Sequence, residues 1–379
     1  MTSVERVKAA LNFEEPDKVP LANYAIDCDT VSRLLGRKTF IRDKAGTQIA
    51  YWEGRRDEIV ESLIEDIPEL YQKLDILDVM YVAKIAMVPP RGHQPEAPTK
   101  IGDGVWEDRS GRVFKRSEVT NEIVCVKDPH KWDRQFKLED FDLDPEVGPE
   151  DESTYEVFDA VLPQVPKDKY VIGRFPMAQE QVLLGGYERG LVEVAMQPEV
   201  VERAVQAGIA RARKQQQRWH NRGFHGVMNE NDFGHTTSTF VSPEVFRRLF
   251  LPAVEFNVQS AHEAGLDFFQ HSCGDNKPIL DQLVGAGIDC YQSMHPEAGM
   301  DPWVIKEMAG NQMAVWGGVN VASLVAGTPD DVRADVRRAM ERAKPGGGFL
   351  LGSSHSIAWG TKYDNFMAML DEFEKLRDY

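Results

Sequence analysis

The chain contains no apolar run approaching the ~20 residues a membrane-spanning helix needs, and no basic stretch followed by an apolar one at its N-terminus. Cysteine is scarce. The four present, Cys28, Cys125, Cys273 and Cys290, are too few and too scattered for a disulfide framework in 379 residues, so all are read as reduced thiols. Positive charge is also short: 44 Lys and Arg stand against 61 Asp and Glu, a formal net charge of −17, which argues against a nucleic-acid partner. Internal repeats, low-complexity tracts and interdomain linkers are absent. These absences lead us to expect a cytoplasmic protein with no membrane or nucleic-acid partner, folded as one domain over residues 1–379, and they leave its oligomeric state open.

What is present is a core-forming sequence, 42% hydrophobic, whose apolar segments alternate between two periods. Short apolar runs at Lys18–Ala22, Ile76–Val82, Tyr170–Gly173, Gly226–Met228, Phe268–His271, Ile288–Tyr291, Met313–Trp316 and Phe349–Leu351 read as eight strands. Helical stretches lie between them, several with start signals. Ser242-Pro243-Glu244 and Thr328-Pro329-Asp330-Asp331 each supply a cap, a proline for the first turn and an acid facing the helix dipole. Residues 198–213 carry the apolar stripe Val201, Ala204, Val205, Ala207, Ile209. Eight βα units predict an α/β fold, a (β/α)8 TIM barrel, preceded by N-terminal helices that open at Thr2-Ser3-Val4-Glu5. Val105 to Val124, with a turn at Asp108-Arg109-Ser110-Gly111, predicts a β-hairpin inserted over the barrel mouth. The eight acids between Glu139 and Glu152 predict a solvated loop.

In a parallel barrel the substrate meets the carboxyl ends of the strands, so the polar residues that end each apolar run matter most. Foremost is His271-Ser272-Cys273-Gly274. Residues i and i+2 share a face of a strand, so an imidazole and a thiolate at this spacing can grip one ion, and both are zinc donors. A catalytic zinc site needs a third protein ligand. His355, at the end of the last strand, is the preferred one, with Cys290 and Glu230 as competitors, while Cys28 and Cys125 read as packing residues. Glu230 and Asp232 read either as a general acid/base pair or as partners that orient a metal-bound histidine. Asn320 ends another strand and joins them as a catalytic candidate, and Tyr24, Asp78, Tyr291 and Gln292 are candidates for substrate binding. Gly346-Gly347-Gly348 precedes a strand and reads as an entry turn; Gly317-Gly318 follows one and suits a close approach.

The chain resembles the uroporphyrinogen decarboxylase superfamily. The resemblance runs from Glu5-Arg6-Val7 and Pro16-Asp17-Lys18-Val19-Pro20 through Asp232-Phe233-Gly234, Ser242-Pro243-Glu244, His271-Ser272-Cys273-Gly274 and Gly287-Ile288-Asp289. It continues in Gly299-Met300-Asp301, Trp316-Gly317-Gly318-Val319, Gly327-Thr328-Pro329, Gly347-Gly348-Phe349 and Asn365. It implies a (β/α)8 barrel and two branches of chemistry. The decarboxylase branch binds an acidic tetrapyrrole with arginines of an N-terminal loop and an aspartate, without metal; Asp75 or Asp78 matches that aspartate and His355 its late histidine. Leu21-Ala22-Asn23-Tyr24-Ala25-Ile26-Asp27 contains no arginine, a poor electrostatic match to such a substrate.

The nearer resemblance is to the corrinoid-dependent methyltransferases, which use His-x-Cys on this strand to bind Zn2+. Their usual third ligand is a cysteine after the last strand, where this chain has Ser353, Ser354 and His355. The resemblance implies zinc as a Lewis acid and methyl transfer between a small substrate and a corrinoid. The chain has no Asp-x-His-x-x-Gly motif, so the corrinoid is expected on a separate partner protein. A histidine in place of a thiolate makes the ion harder, which favours demethylation of a methoxylated small molecule, aromatic ones included. Tyr24, Tyr81, Trp106, Phe175, Phe233, Tyr291 and Trp359 are the aromatics expected to line the pocket. The alternatives are a uroporphyrinogen decarboxylase-type lyase and a non-catalytic relative that binds a corrinoid or small molecule.

Overall fold

A computed structural model describes residues 1–379. Seven parallel strands form one curled sheet in sequence order: β1 (Val79–Tyr81), β2 (Tyr170–Gly173), β3 (Gly226–Glu230), β4 (Asp267–His271), β5 (Cys290–Gln292), β6 (Ala314–Val319) and β7 (Phe349–Ser353). The eighth position is held by Pro20, Leu21 and Ala22. Ala22 N donates to Leu351 O at 2.8 Å and Leu351 N to Pro20 O at 2.9 Å, while Asp78 N, just before β1, donates to Leu21 O at 2.9 Å. This short segment joins the two edge strands and closes the (β/α)8 barrel. Lys18–Ala22, expected as a full strand, makes only isolated bridges, Leu21 with Leu351 and Lys18 with Asp378.

Alternation along the strands divides the core in two. Inward residues such as Val79, Tyr81, Met228, Phe269, Cys290, Ala314, Trp316 and Leu350 form a compact cluster inside the barrel, closed by Val7, Ala10 and Leu11 of the capped helix Ser3–Leu11. Outward residues such as Met80, Val227, Phe268, Tyr291 and Val315 join the larger cluster shared with the surrounding helices. The helix starts expected from sequence are present: Ser242 Oγ accepts from Val245 N at 3.2 Å before Pro243–Leu249, and Thr328 and Asp331 form a reciprocal cap at Pro329–Ala343.

The inserted segment is larger than a hairpin. Thr99–Gly102, Val105–Glu107, Val113–Ser117 and Glu122–Lys127 make a four-stranded antiparallel sheet, with the expected turn held by Asp108 Oδ1, which accepts from Ser110 N and Arg112 N. Cys28 is buried, but Cys125 is exposed and is no core packing residue, because it lies on an edge strand whose last four residues are all exposed. The acidic segment is exposed, and three of its acids reach bases: Asp144 pairs with Lys214, Glu150 with Arg174, Glu152 with Arg222. No helix is long and apolar enough to cross a membrane.

Candidate metal centre and its cavity

The register that sets β4 between β3 and β5 puts Glu230, His271 and Gln292 in one row at the carboxyl end of the barrel. His271 continues the inward alternation of Phe269, and the chain runs two residues further to bring Cys273 beside it. Cys273 Sγ lies 3.6 Å from His271 Nε2. From the opposite side of the mouth, beyond β7, His355 completes a cluster whose three ligand atoms all lie within 4.8 Å of one another.

The donor set fits zinc. Bonds of roughly 2.05 Å to nitrogen and 2.3 Å to sulfur in a tetrahedron place nitrogen and sulfur about 3.6 Å apart, the separation of His271 Nε2 and Cys273 Sγ. Both imidazoles are also turned for it. Gln292 Oε1 accepts from His271 Nδ1 and Ser356 Oγ lies 3.1 Å from His355 Nδ1, so each ring keeps its Nε2 for an ion. Tyr24 stacks on His271, ring centroids 4.3 Å apart and 14° from parallel, and meets His355 edge-on. Burial, above all, lowers the pKa of both histidines, that of His355 to about 4, so the rings stay neutral, the form that ligates metals. Burial, helped by Asp232, pushes the Cys273 thiol up to about 12.

The cluster opens on a cavity of about 500 Å3. Its walls are mostly polar: Arg42, Lys84, Glu122, Gln179, Gln181, Glu230, Asn231 and Asp232 accompany Tyr24, Tyr187 and the two histidines. Lys84 forms an ion pair with Glu230 and donates to Tyr24 Oη at 2.8 Å, and Tyr81 Oη donates to Glu230 Oε1 at 2.7 Å. Burial opposes both charges of the pair. It takes Lys84 below the ordinary lysine value, whereas the Glu230 carboxyl is held below the carboxylate range because the Lys84 charge and its two bonds outweigh burial. Asp232 Oδ1 accepts from Cys273 N at 2.8 Å and lies 3.8 Å from His271 Nε2.

The structure therefore brings together His271, Cys273, His355, Glu230, Asp232, Gln292 and Tyr24, and sends four other candidates elsewhere. Cys290 is fully buried among inward apolar side chains, a layer below the mouth. Tyr291, one residue on, faces outward by alternation, donating to Ser272 O at 2.7 Å and accepting from Asn276 Nδ2. Asp78 precedes β1 and so lies at the opposite end of the barrel, where Ser3, Arg6 and Leu21 N donate to it. Asn320 is spent as a helix cap, accepting from Ala322 N and donating to Glu297. Of the aromatics expected to line the pocket, only Tyr24 does; Trp106 packs on Trp52, Phe175 on Trp219 and Phe233 on Phe246. Sequence reading passed over Lys84, which follows the first apolar strand and obeys the same strand-end rule, and Arg42, Gln179 and Gln181, which sit on irregular segments with no periodic signal.

A model of the family described as uroporphyrinogen decarboxylase (URO-D) matches residues 182–376, more than half of the chain. The chain belongs to the URO-D family. The matched region runs from the segment after β2 through the last helix and contains His271, Cys273 and His355. Among solved structures, a methyltransferase from Methanosarcina mazei is similar at a TM-score of 0.62 and 16% identity, over 99% of each chain, so the two share a fold along their whole length. A putative vitamin-B12 independent methionine synthase from Listeria monocytogenes matches at a TM-score of 0.42 and 11% identity, over 96% of this chain and 94% of that one, a likeness too weak to bear on the fold. No curated protein sequence matches the chain significantly.

Proposed function

We propose that this URO-D family member is a zinc-dependent methyltransferase that transfers a methyl group from a small, polar, methoxylated substrate to a corrinoid carried by a separate protein. The convergence of His271, Cys273 and His355 within 4.8 Å carries the reading. Zinc held there would act as a Lewis acid on the oxygen that loses its methyl group, and two imidazoles with one thiolate make a harder ion than two thiolates would.

The protein's own groups supply the rest. Breaking the carbon–oxygen bond leaves the electron pair on oxygen, which then needs a proton. Lys84, bonded to Tyr24 Oη and held by Glu230, is the one lysine lining the cavity and passes that proton through the Tyr24 hydroxyl. Tyr24 is suited to this because burial, helped by Glu230, pushes its pKa well above the ordinary tyrosine value and keeps it protonated. Asp232 fixes the Cys273 backbone, and Gln292 fixes His271. The polar walls favour a small hydroxylated or charged substrate. They weigh against the acidic tetrapyrrole of the decarboxylase reading, since Lys84 is already paired with Glu230 and Arg42 with Asp27.

The test combines metal analysis with turnover. Wild-type protein should hold one zinc per chain and form methylcobalamin from free cob(I)alamin and a member of a panel of methoxylated compounds, and Cys273→Ala should lose both. Protein without zinc, with Cys273→Ala unchanged in every assay, removes the reading; decarboxylation of uroporphyrinogen would replace it by the alternative.

A further inference from the structure

Consecutive strand residues point to opposite faces, so Gln292 and Ser293, at the end of β5, should not both face the metal cluster. They do. Gln292 Oε1 takes the Nδ1 hydrogen of His271 while Ser293 Oγ lies 3.0 Å from Cys273 Sγ. The backbone achieves this by turning Ser293 into the left-handed region, φ 83°, where side chains other than glycine and asparagine seldom sit. Ser293 is 1% exposed, so its hydroxyl is reserved for the interior.

The neighbouring strand is shaped to permit the turn. A Cβ on Gly317 of β6 would come within 2.7 Å of Met294 Cβ and 2.8 Å of its Cγ, so glycine leaves the space that the residue after Ser293 occupies. If only the bend mattered, glycine or asparagine at 293 would provide it without strain. The hydroxyl is what they could not provide.

We propose that Ser293 is a positioning residue for the Cys273 sulfur, its hydroxyl donating to the thiolate so that the end of β5 sets the charge on sulfur and thereby the electrophilicity of the bound ion. The inference rests on the zinc reading above. With Gln292 on His271 and Ser293 on Cys273, two adjacent residues orient two of the three ligands. A hydrogen bond to thiolate withdraws electron density, so it reinforces the harder donor set that His355 creates.

The experiment uses the full chain loaded with cobalt(II) as a spectroscopic substitute for zinc, in wild type, Ser293→Ala and Ser293→Gly. Losing the donor raises the energy of the sulfur electrons, so the sulfur-to-cobalt charge-transfer band should move to longer wavelength in both variants, with zinc affinity falling about tenfold or more by chelator competition. Metal-free Ser293→Gly should meanwhile melt at or above the wild-type temperature, because it relieves the strain; this separates a role at the sulfur from a role in folding. An unmoved band in both variants overturns the proposal and leaves the zinc reading standing. A wild-type protein that takes up neither cobalt nor zinc overturns both.

Discussion

Trp316 donates its indole N–H to the carbonyl of Ala22 at 2.8 Å inside the barrel, joining residues 294 positions apart. Ala22 belongs to the bridging segment between β7 and β1, so this bond pins the barrel seam from within. Gly352 makes room for it, since a Cβ there would collide with both Ala22 O and the indole nitrogen. Trp316→Phe should cost about 1–3 kcal/mol, the penalty for a buried carbonyl left without its donor, plus lost packing. Gly352→Ala should cost more, because overlap at the seam displaces backbone as well as side chain. Urea unfolding orders the two variants, and a Gly352→Ala protein as stable as wild type would sink the account.

Asp78 bears on stability rather than on the substrate. Its carboxylate, 3% exposed, receives Ser3 Oγ at 2.8 Å, Arg6 Nη1 at 2.5 Å and Leu21 N at 2.9 Å, with Arg377 Nη2 at 3.5 Å. Asp78→Ala would leave Arg6 and Arg377 buried with less counter-charge, at a cost of about 3–5 kcal/mol. Calorimetry should show that loss while zinc content stays at the wild-type level, since the site lies at the far end of the barrel.

Glu180 should give the stability curve a pH slope. It is wholly buried against the outer face of β3 and β4, bonded by Asn257 Nδ2 at 3.1 Å and Asn231 Nδ2 at 3.4 Å, and none of these partners is a cation. Burial raises its pKa to about 7, against the opposing pull of the amides of Asn257, Asn229, Gln270 and Asn231. The folded state thus keeps a proton that the unfolded state releases, so stability falls as pH rises from the unfolded value near 4.5 through 7, by roughly 3 kcal/mol in full. In Glu180→Gln this component vanishes: its melting temperature should exceed the wild type's at pH 8 and converge with it near pH 5. Parallel melting curves for the two proteins across that range would show that the carboxyl does not titrate there.

Zinc added to metal-free protein should raise the melting temperature, by as much as ~4 kcal/mol in stability when the free ion is a thousandfold above its dissociation constant. His355→Ala should abolish the rise. His295→Ala, which removes a histidine outside the cluster, should keep it. A rise that survives in His355→Ala would mean that His271 and Cys273 hold the ion with some other group.

Much of the fold was legible because its rules are local. The period of two that marks β4 places Phe269, His271 and Cys273 on the inner side, and the caps at Ser242 and Thr328 show where helices begin. The same alternation, followed one step further, turns Tyr291 outward and sinks Cys290 into the barrel core, so those two corrections were available from the sequence. Asp78 was misplaced for another reason: it precedes its strand, which puts it at the amino end of the barrel, but the boundary of a three-residue strand is poorly marked in a run as apolar as Ile76–Val82.

By itself the sequence determined which residues share a face, where the chain turns, and that an imidazole and a thiolate stand two apart at a strand end, because each follows from dihedral geometry over a few residues. Only the tertiary structure decided that His355 meets His271 across the mouth, that Lys84 reaches Glu230 over 146 positions, and that Pro20–Ala22 closes the ring. Those contacts depend on barrel closure and strand register, which are set by the packing of the whole interior and leave no periodic trace along the chain.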